Sequence, residues 1–398
     1  MFDVFAEGLR KATNLTGAGR LMDATAAIQA RLKGVQQPLR DRKHGTGAPP
    51  DIDGNAATAK LLAAARKGET LQQSLGESLR MPAGGAVPGK ARHPSPTIVV
   101  PDGAQFLART FVTDAGSRSY KLYVPAGYRA GAPVPLIVML HGCTQTPDDF
   151  AAGTRMNELA EGGNFLVAYP AQTRSANMQK CWNWFNLSDQ ARGVGEPALI
   201  SGITHRVMED YAVDATRVFV AGLSAGGACA AIMGQAYPDL YAAIGIHSGL
   251  ACGAAHDLPS AFAAMRLGAG DQKAGMLVPT IVFHGDRDTT VTPRNGDAIV
   301  SQLAGNAVGG TRGAVGQVPH GRFYTRTVYS DASDRIVAEY WVVHGAAHAW
   351  SGGSSSGSYT DPLGPDASSE MVRFFLGITA QEGRPPQFGD TPRFKSPG

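Results

Sequence analysis

Long apolar runs are missing from this 398-residue chain. None reaches the roughly 18 residues that a membrane-spanning helix needs, which argues against an integral membrane protein. Charge is scarce as well: only 17% of positions are Asp, Glu, Lys or Arg, and a net charge of +3 is too small to point to nucleic acid as a partner. Four cysteines do not make a disulfide-dense scaffold. The start, Met1-Phe2-Asp3-Val4-Phe5-Ala6-Glu7, is acidic, and no apolar segment of about 7–15 residues follows a basic stretch, so no secretion leader is expected. What is plentiful is glycine (50 residues) and proline (25), over a 43% apolar fraction large enough for a sizeable core.

Charge and texture divide the chain. Residues 1–95 hold 14 Lys and Arg against 8 Asp and Glu, whereas the remaining 303 residues hold 22 against 25. The first 95 residues are therefore read as a separate basic unit. Within it, Leu21, Ala24, Ile28 and Leu32 predict an amphipathic helix over 18–33, ended by Gly34. That helix either docks on the main domain or binds a granule or partner surface. Pro- and Gly-rich stretches at 36–60 and 80–98 read as linker. A catalytic domain is expected over 96–380 and a Pro-rich tail over 381–398.

From about residue 108, short apolar or β-branched runs alternate with helical segments. Strands are expected at 111–112, 120–124, 136–140, 165–169, 218–221, 242–246, 280–283 and 338–343. Several are continuously apolar, as strands buried on both faces are. The alternation predicts an α/β domain: a mostly parallel sheet with helices on both faces.

The run 217–221 leads into Gly222-Leu223-Ser224-Ala225-Gly226 and then a helical stretch through Tyr237. This matches the G-x-S-x-G pattern of a nucleophile elbow, a strand-to-helix turn so tight that small residues must flank the serine. Ser224 is the candidate nucleophile. A second match, Gly353-Ser354-Ser355-Ser356-Gly357, lacks a preceding strand and a following helix and is read as a flexible stretch.

A serine hydroxyl needs a histidine to take its proton and a carboxylate to fix that histidine. In this fold the order is Ser, Asp or Glu, His. Asp286 and Asp288 both follow the strand at 280–283; Asp288, past the turn, is chosen, with Asp286 as a turn residue holding backbone amides. His348 lies in the loop after the last strong strand and is the candidate base, ahead of His344 at the strand end. His141, His205, His247 and His284 are assigned supporting roles. The oxyanion needs two preset amides. Ala225 follows the nucleophile, and Cys143 lies in His141-Gly142-Cys143-Thr144-Gln145 after an early strand.

Together, Leu140-His141-Gly142-Cys143-Thr144-Gln145, Cys181-Trp182-Asn183-Trp184-Phe185, Gly222 to Gly227 and His348-Ala349-Trp350 resemble the polyhydroxybutyrate (PHB) depolymerase family of esterases, α/β-hydrolases that include feruloyl and acetyl-xylan esterases. The resemblance spans about residues 108–378. It implies hydrolysis of hydroxyalkanoate or other short-chain esters by Ser224, Asp288 and His348, without metal or cofactor. It also implies that Trp184 and Trp350 line the substrate pocket, and that Cys143 bridges to Cys181. Cys229 and Cys252 are a candidate second pair, although spacing alone allows three pairings. A feruloyl or acetyl-xylan esterase and a non-catalytic binding module on the same fold are the rival readings. Secreted members of the family usually carry a leader and a polymer-binding domain; neither is seen here, so soluble oligomers, small esters or intracellular granules are expected over external polymer. The missing leader favours the cytoplasm, bridged cysteines an oxidising compartment, and both stay open.

Overall fold

The computed structural model describes residues 96, 98–113, 116–270, 278–304 and 309–382. The readings made for 1–95, and for the tail past 382, lie outside the described residues. A hairpin of β1 (Gln105–Thr113) and β2 (Gly116–Val124) opens the sheet, and β2 runs antiparallel to β4 (Leu166–Pro170). Six strands then lie parallel: β4, β3 (Val134–Leu140), β5 (Val213–Leu223), β6 (Ala243–His247), β7 (Thr280–Gly285) and β10 (Ile336–Val343). A second antiparallel pair, β9 (Phe323–Ser330) and β8 (Gly310–Gln317), closes the other edge, giving the order β1-β2-β4-β3-β5-β6-β7-β10-β9-β8.

Every residue of β3, β4, β6 and β7 is buried, because helices cover both faces. On one face α3 (Gly195–Asp210), α4 (Ala225–Ala236), α5 (Leu258–Leu267) and α6 (Arg294–Ala304) pack on Leu136, Val138, Val218 and Val220. On the other, α1 (Pro147–Thr154), α2 (Met156–Gly163) and α7 (Ala367–Glu382) pack on Ile137, Met139, Phe219 and Ala221. Alternate residues of one strand thus serve opposite layers, as the two-residue period of a strand requires. Phe375 of α7 stacks on Phe219 at 4.8 Å between ring centroids. Among the described residues no helix is long and apolar enough to cross a membrane.

The register decides where the loops emerge. Leu140 pairs with Gly222, Leu223 with His247, His247 with Phe283, and Gly285 with Val343. The C-terminal ends of β3, β5, β6, β7 and β10 therefore lie along one sheet edge. The chain turns one way from β3 to β4 and the other way from β5 to β6, so the β3–β5 boundary is a topological switch point, where open α/β sheets bind ligands.

Two sequence expectations change. The β8–β9 pair was not expected, because β8 contains three glycines and is almost wholly exposed, leaving no apolar period to detect. The stretch 353–357, read as flexible, is packed on α1: Ser354 N–H donates to Gly153 O at 2.8 Å, and a Cβ on Gly357 would overlap Gly153 Cα. Gly357→Ala is accordingly expected to cost about 1–3 kcal/mol by overpacking. Gly313→Ala in exposed β8, where an added Cβ meets nothing, is expected to be near neutral. Equal urea midpoints for the two variants would contradict the packed loop.

Candidate active site

At the end of β5 the chain turns into α4 through Ser224, whose φ of 57° and ψ of −119° are strained for a residue with a side chain. Two contacts impose that turn. A Cβ on Gly226 would overlap the Leu140 carbonyl of neighbouring β3, so only glycine lets the turn close. Ser224 N–H donates to the carbonyl of His247 at the end of β6, 2.9 Å away. The serine is held partly exposed at the sheet edge.

Past β7 the turn folds Asp288 back under the β10 loop, and the two loops are tied by backbone bonds. Asp286 N–H donates to Val343 O at 3.1 Å, and Arg287 N–H to Ala346 O at 3.0 Å. A side chain on Gly285 would overlap Ala346 O. This junction places His348 Nδ1 2.6 Å from Asp288 Oδ2, both residues buried. The other oxygen, Oδ1, accepts the Thr290 and Val291 N–H groups, each at 2.9 Å. His284 Nε2 donates to Val291 O at 2.9 Å and lies 3.5 Å from Asp288 Oδ2. Burial alone would raise the Asp288 carboxyl, but the bonds from His284 and His348 outweigh it and hold the group well below the usual carboxylate range. Asp288 is therefore an anion, and Nδ1 of His348 carries the proton that faces it.

His247 joins the two halves. Its carbonyl holds the elbow, and its Nε2 accepts Ser351 N–H at 2.9 Å from the loop that carries His348. Its ring is stacked between Phe283 and Trp350. Burial pushes this imidazole well below its ordinary pKa, so it stays neutral, with the Nδ1 proton directed to Ser248 Oγ at 3.1 Å. Sequence reasoning gave His247 only a supporting role; its position at the end of a buried strand next to the elbow strand was the available signal. The Ser224 hydroxyl and His348 Nε2 have no hydrogen-bond partner among the described residues. The structure thus brings Asp288 and His348 into contact, and ties Ser224 to the same region through the His247 carbonyl, with no direct bond from Ser224 to either.

The amides of Cys143 and Ala225 are likewise unpartnered among the described residues, and Ala225 is the first residue of α4, where an N–H has no intrahelical acceptor. The Cys143 loop is braced on its far side: Cys143 and Cys181 form a disulfide, Thr144 N–H donates to Gln179 O at 2.6 Å, and Trp182 Nε1 to His141 O at 3.1 Å. Beneath it lies Glu196, 3% exposed, accepting Asn183 N–H at 2.7 Å; burial raises its carboxyl to about 7. His141, 1% exposed, is lowered by burial to about 4.

Several expected roles are corrected. Trp350 is 1% exposed, its Nε1 donating to Ser368 Oγ at 3.0 Å and its ring edge-on to Phe150, so it is core and offers no pocket wall. Trp184 is also buried, edge-to-face with Phe185. Cys229 and Cys252 are free thiols rather than a second bridge; burial raises both, Cys252 to about 11, and suppresses the thiolate that disulfide exchange requires. The passed-over Asp286 and His344 pair with each other at 2.9 Å, and Asp286 also takes Gly345 N–H at 2.7 Å. Among the described residues no group of three or more His, Cys, Asp or Glu side chains is arranged to hold a metal ion.

The family model described as Esterase PHB depolymerase matches residues 118–317, which include Cys143, Ser224 and Asp288 and stop short of His348. Poly(3-hydroxyalkanoate) depolymerase C of Paucimonas lemoignei is 31% identical over 276 residues, covering 64% of this chain and 64% of the relative. Poly(3-hydroxybutyrate) depolymerase of Ralstonia pickettii is 30% identical over 252 residues, 58% of this chain and 50% of the relative. Feruloyl esterase B of Neurospora crassa is 31% identical over 143 residues, 35% and 48%. The chain thus spans about half to two-thirds of the curated relatives it matches. Among solved structures, an acetyl xylan esterase from Aspergillus awamori superposes with a TM-score of 0.53 at 19% identity, covering 69% of this chain and 98% of that one, a likeness of fold.

Two buried groups give opposite pH dependences. His141 is protonated in the unfolded chain near its ordinary 6.5 but in the folded chain only near 4. Its contribution is therefore present above 6.5 and lost as pH falls towards 4, on the order of 3 kcal/mol in all. Glu196 is raised from 4.5 to about 7, so its contribution is present below 4.5 and lost as pH rises through 7. In urea unfolding at pH 7 and pH 5, His141→Gln is expected to lose less stability on acidification than the wild type, and Glu196→Gln to lose more. The same sign for both variants would refute the assignment.

Proposed function

The chain belongs to the PHB depolymerase family of esterases, and on that premise we propose that it hydrolyses carboxylic esters through an acyl-enzyme formed on Ser224. The observation that carries this reading is the buried 2.6 Å bond between His348 Nδ1 and Asp288 Oδ2, with the strained Ser224 elbow and the His348 loop both anchored on His247. With Nδ1 protonated towards Asp288, Nε2 of His348 is the free base. As an ester binds, the serine hydroxyl comes to donate to Nε2; such catalytic bonds commonly tighten only in the complex. Oγ attacks the ester carbonyl while Nε2 takes the proton, and Asp288 stabilises the imidazolium. The amides of Cys143 and Ala225 receive the oxyanion, aided by the N-terminus of α4. His348 then protonates the departing alcohol. Water, deprotonated by the same nitrogen, attacks the acyl group and releases the acid.

For the substrate we infer a hydroxyalkanoate ester, oligomeric or polymeric. The two bacterial depolymerases align over 64% and 58% of this chain, against 35% for the fungal feruloyl esterase. Feruloyl and acetyl-xylan esters are the competing substrates.

Ser224→Ala is expected to lose at least about 10⁴-fold in kcat on p-nitrophenyl butyrate, and to lose labelling by a fluorophosphonate. Asp288→Asn should fall by about 10⁴-fold while keeping its fold, since the imidazole then holds the wrong tautomer. Unchanged turnover by Ser224→Ala would remove the proposal. Of hydroxybutyrate oligomers, methyl ferulate and acetylated xylan, the oligomers should be turned over with the highest kcat/KM; a clear preference for either of the others would overturn the substrate assignment.

A further inference from the structure

Resting on that hydrolytic reading, we propose that Gln145 is a positioning residue: its carboxamide, held by Asp149 and Ser358, aims the Cys143 amide at the oxyanion. The pivot is Gly142, the residue with the widest torsional freedom in the loop. Both peptide groups flanking its Cα are pinned. The Gly142 N–H donates to Gln145 Oε1 at 2.9 Å. The Gly142 carbonyl accepts the Nδ1 proton of His141 at 2.8 Å and the Gln145 backbone N–H at 3.3 Å. The proton of His141 sits on Nδ1 because Nε2 accepts Gln172 N–H at 3.1 Å. In a planar trans peptide the carbonyl and the following N–H point opposite ways, so fixing Gly142 O directs Cys143 N–H away from it.

The Gln145 carboxamide has one chemically permitted orientation. It is 2% exposed. Its Nε2 faces two acceptors, Asp149 Oδ2 at 3.0 Å and the Ser358 carbonyl at 3.1 Å, while its oxygen faces a donor. Thr146 caps α1, with its hydroxyl accepting Asp149 N–H at 3.2 Å, and this sets Asp149 one turn beyond Gln145. Ser358 closes the cluster by giving both its N–H, at 2.9 Å, and its hydroxyl to Asp149. Ser358 belongs to the loop that begins after His348, and Tyr359 beside it meets Thr144 Oγ1 at 3.2 Å. The loop that carries the base therefore also braces the oxyanion loop. The Cys143–Cys181 disulfide anchors the position of Cys143, but a side-chain link leaves the direction of its N–H to these polar contacts.

The test compares Gln145→Ala, Gln145→Glu and Ser358→Ala with the wild type and with Ser224→Ala. Gln145→Ala is expected to lower kcat about 10- to 100-fold, short of the roughly 10²–10³ for losing an oxyanion donor outright, with KM within about threefold. Its affinity for an alkyl boronic acid, which forms a tetrahedral anion on the serine, should fall by the same factor as kcat/KM. Gln145→Glu sets a second carboxylate against Asp149, so its kcat relative to wild type should rise as pH is lowered from 8 to 6 and the pair takes up a proton. Ser358→Ala, at an exposed position, should show a smaller loss of the same kind, and it decides the matter if Gln145→Ala does not fold. Wild-type kcat and boronate affinity in Gln145→Ala, or a pH-independent ratio in Gln145→Glu, would overturn the inference while an inactive Ser224→Ala leaves the esterase reading standing. An active Ser224→Ala would remove both.

Discussion

His247 is the residue on which the site's geometry turns. Its carbonyl sets the elbow through Ser224 N–H, and its ring nitrogen sets the β10 loop through Ser351 N–H. Both anchors are short and buried, and the ring is clamped between Phe283 and Trp350. A change of register by one residue at β6 would move both bonds together and turn every side chain of the strand to the opposite layer. The parallel register of β5, β6 and β7 is therefore what converts distant stretches of sequence into one site.

Much of this was legible in the residues. Each of the eight expected strands was found: six belong to the parallel part of the sheet, where strands write themselves as apolar runs between Gly- and Asp-rich turns, and two are the antiparallel β1–β2 pair, marked by β-branched and aromatic residues. The strand-to-helix turn at Ser224 was legible from context: the same five-residue pattern occurs at 353–357, and only the strand before and helix after separated the two. The preference for Asp288 over Asp286 came from placement past the turn, which is what lets its carboxylate reach under the β10 loop. What the sequence did not expose were relations between surfaces. The β8–β9 edge carries no apolar period, and the two indoles look identical in sequence whether they line a pocket or fill a core. The grip of 353–358 on α1 depends on Gly153 and Gly357 meeting across some 200 positions, which no local pattern records.

The fold accommodates strain and buried charge where the site needs them. Ser224 is held at an unfavourable φ because Leu140 O, Gly226 and His247 O surround it with packed backbone, and the neighbouring strands supply the rigidity that keeps it there. Asp288 is an anion with almost no exposure, made tolerable by two backbone N–H groups on one oxygen and imidazoles on the other. A buried carboxylate satisfied in this way resists protonation, and the bond to His348 Nδ1 stays intact across the range in which an ester would be hydrolysed.

The charge balance of the proposed reaction then explains why His247 and His141 must stay neutral. Before attack the centre holds one formal charge, on Asp288. During attack a second negative charge develops on the ester oxygen and one positive charge on His348, so the proton's arrival must be the only new cation near the carboxylate. A protonated His247 would repel the proton moving onto His348 and weaken the pull of Asp288 upon it. Burial prevents this: desolvation disfavours the charged form of His247 and of His141, while the backbone groups around them fix each tautomer. The same apolar packing that builds the core thus keeps these two imidazoles neutral, leaving the proposed proton transfer to His348.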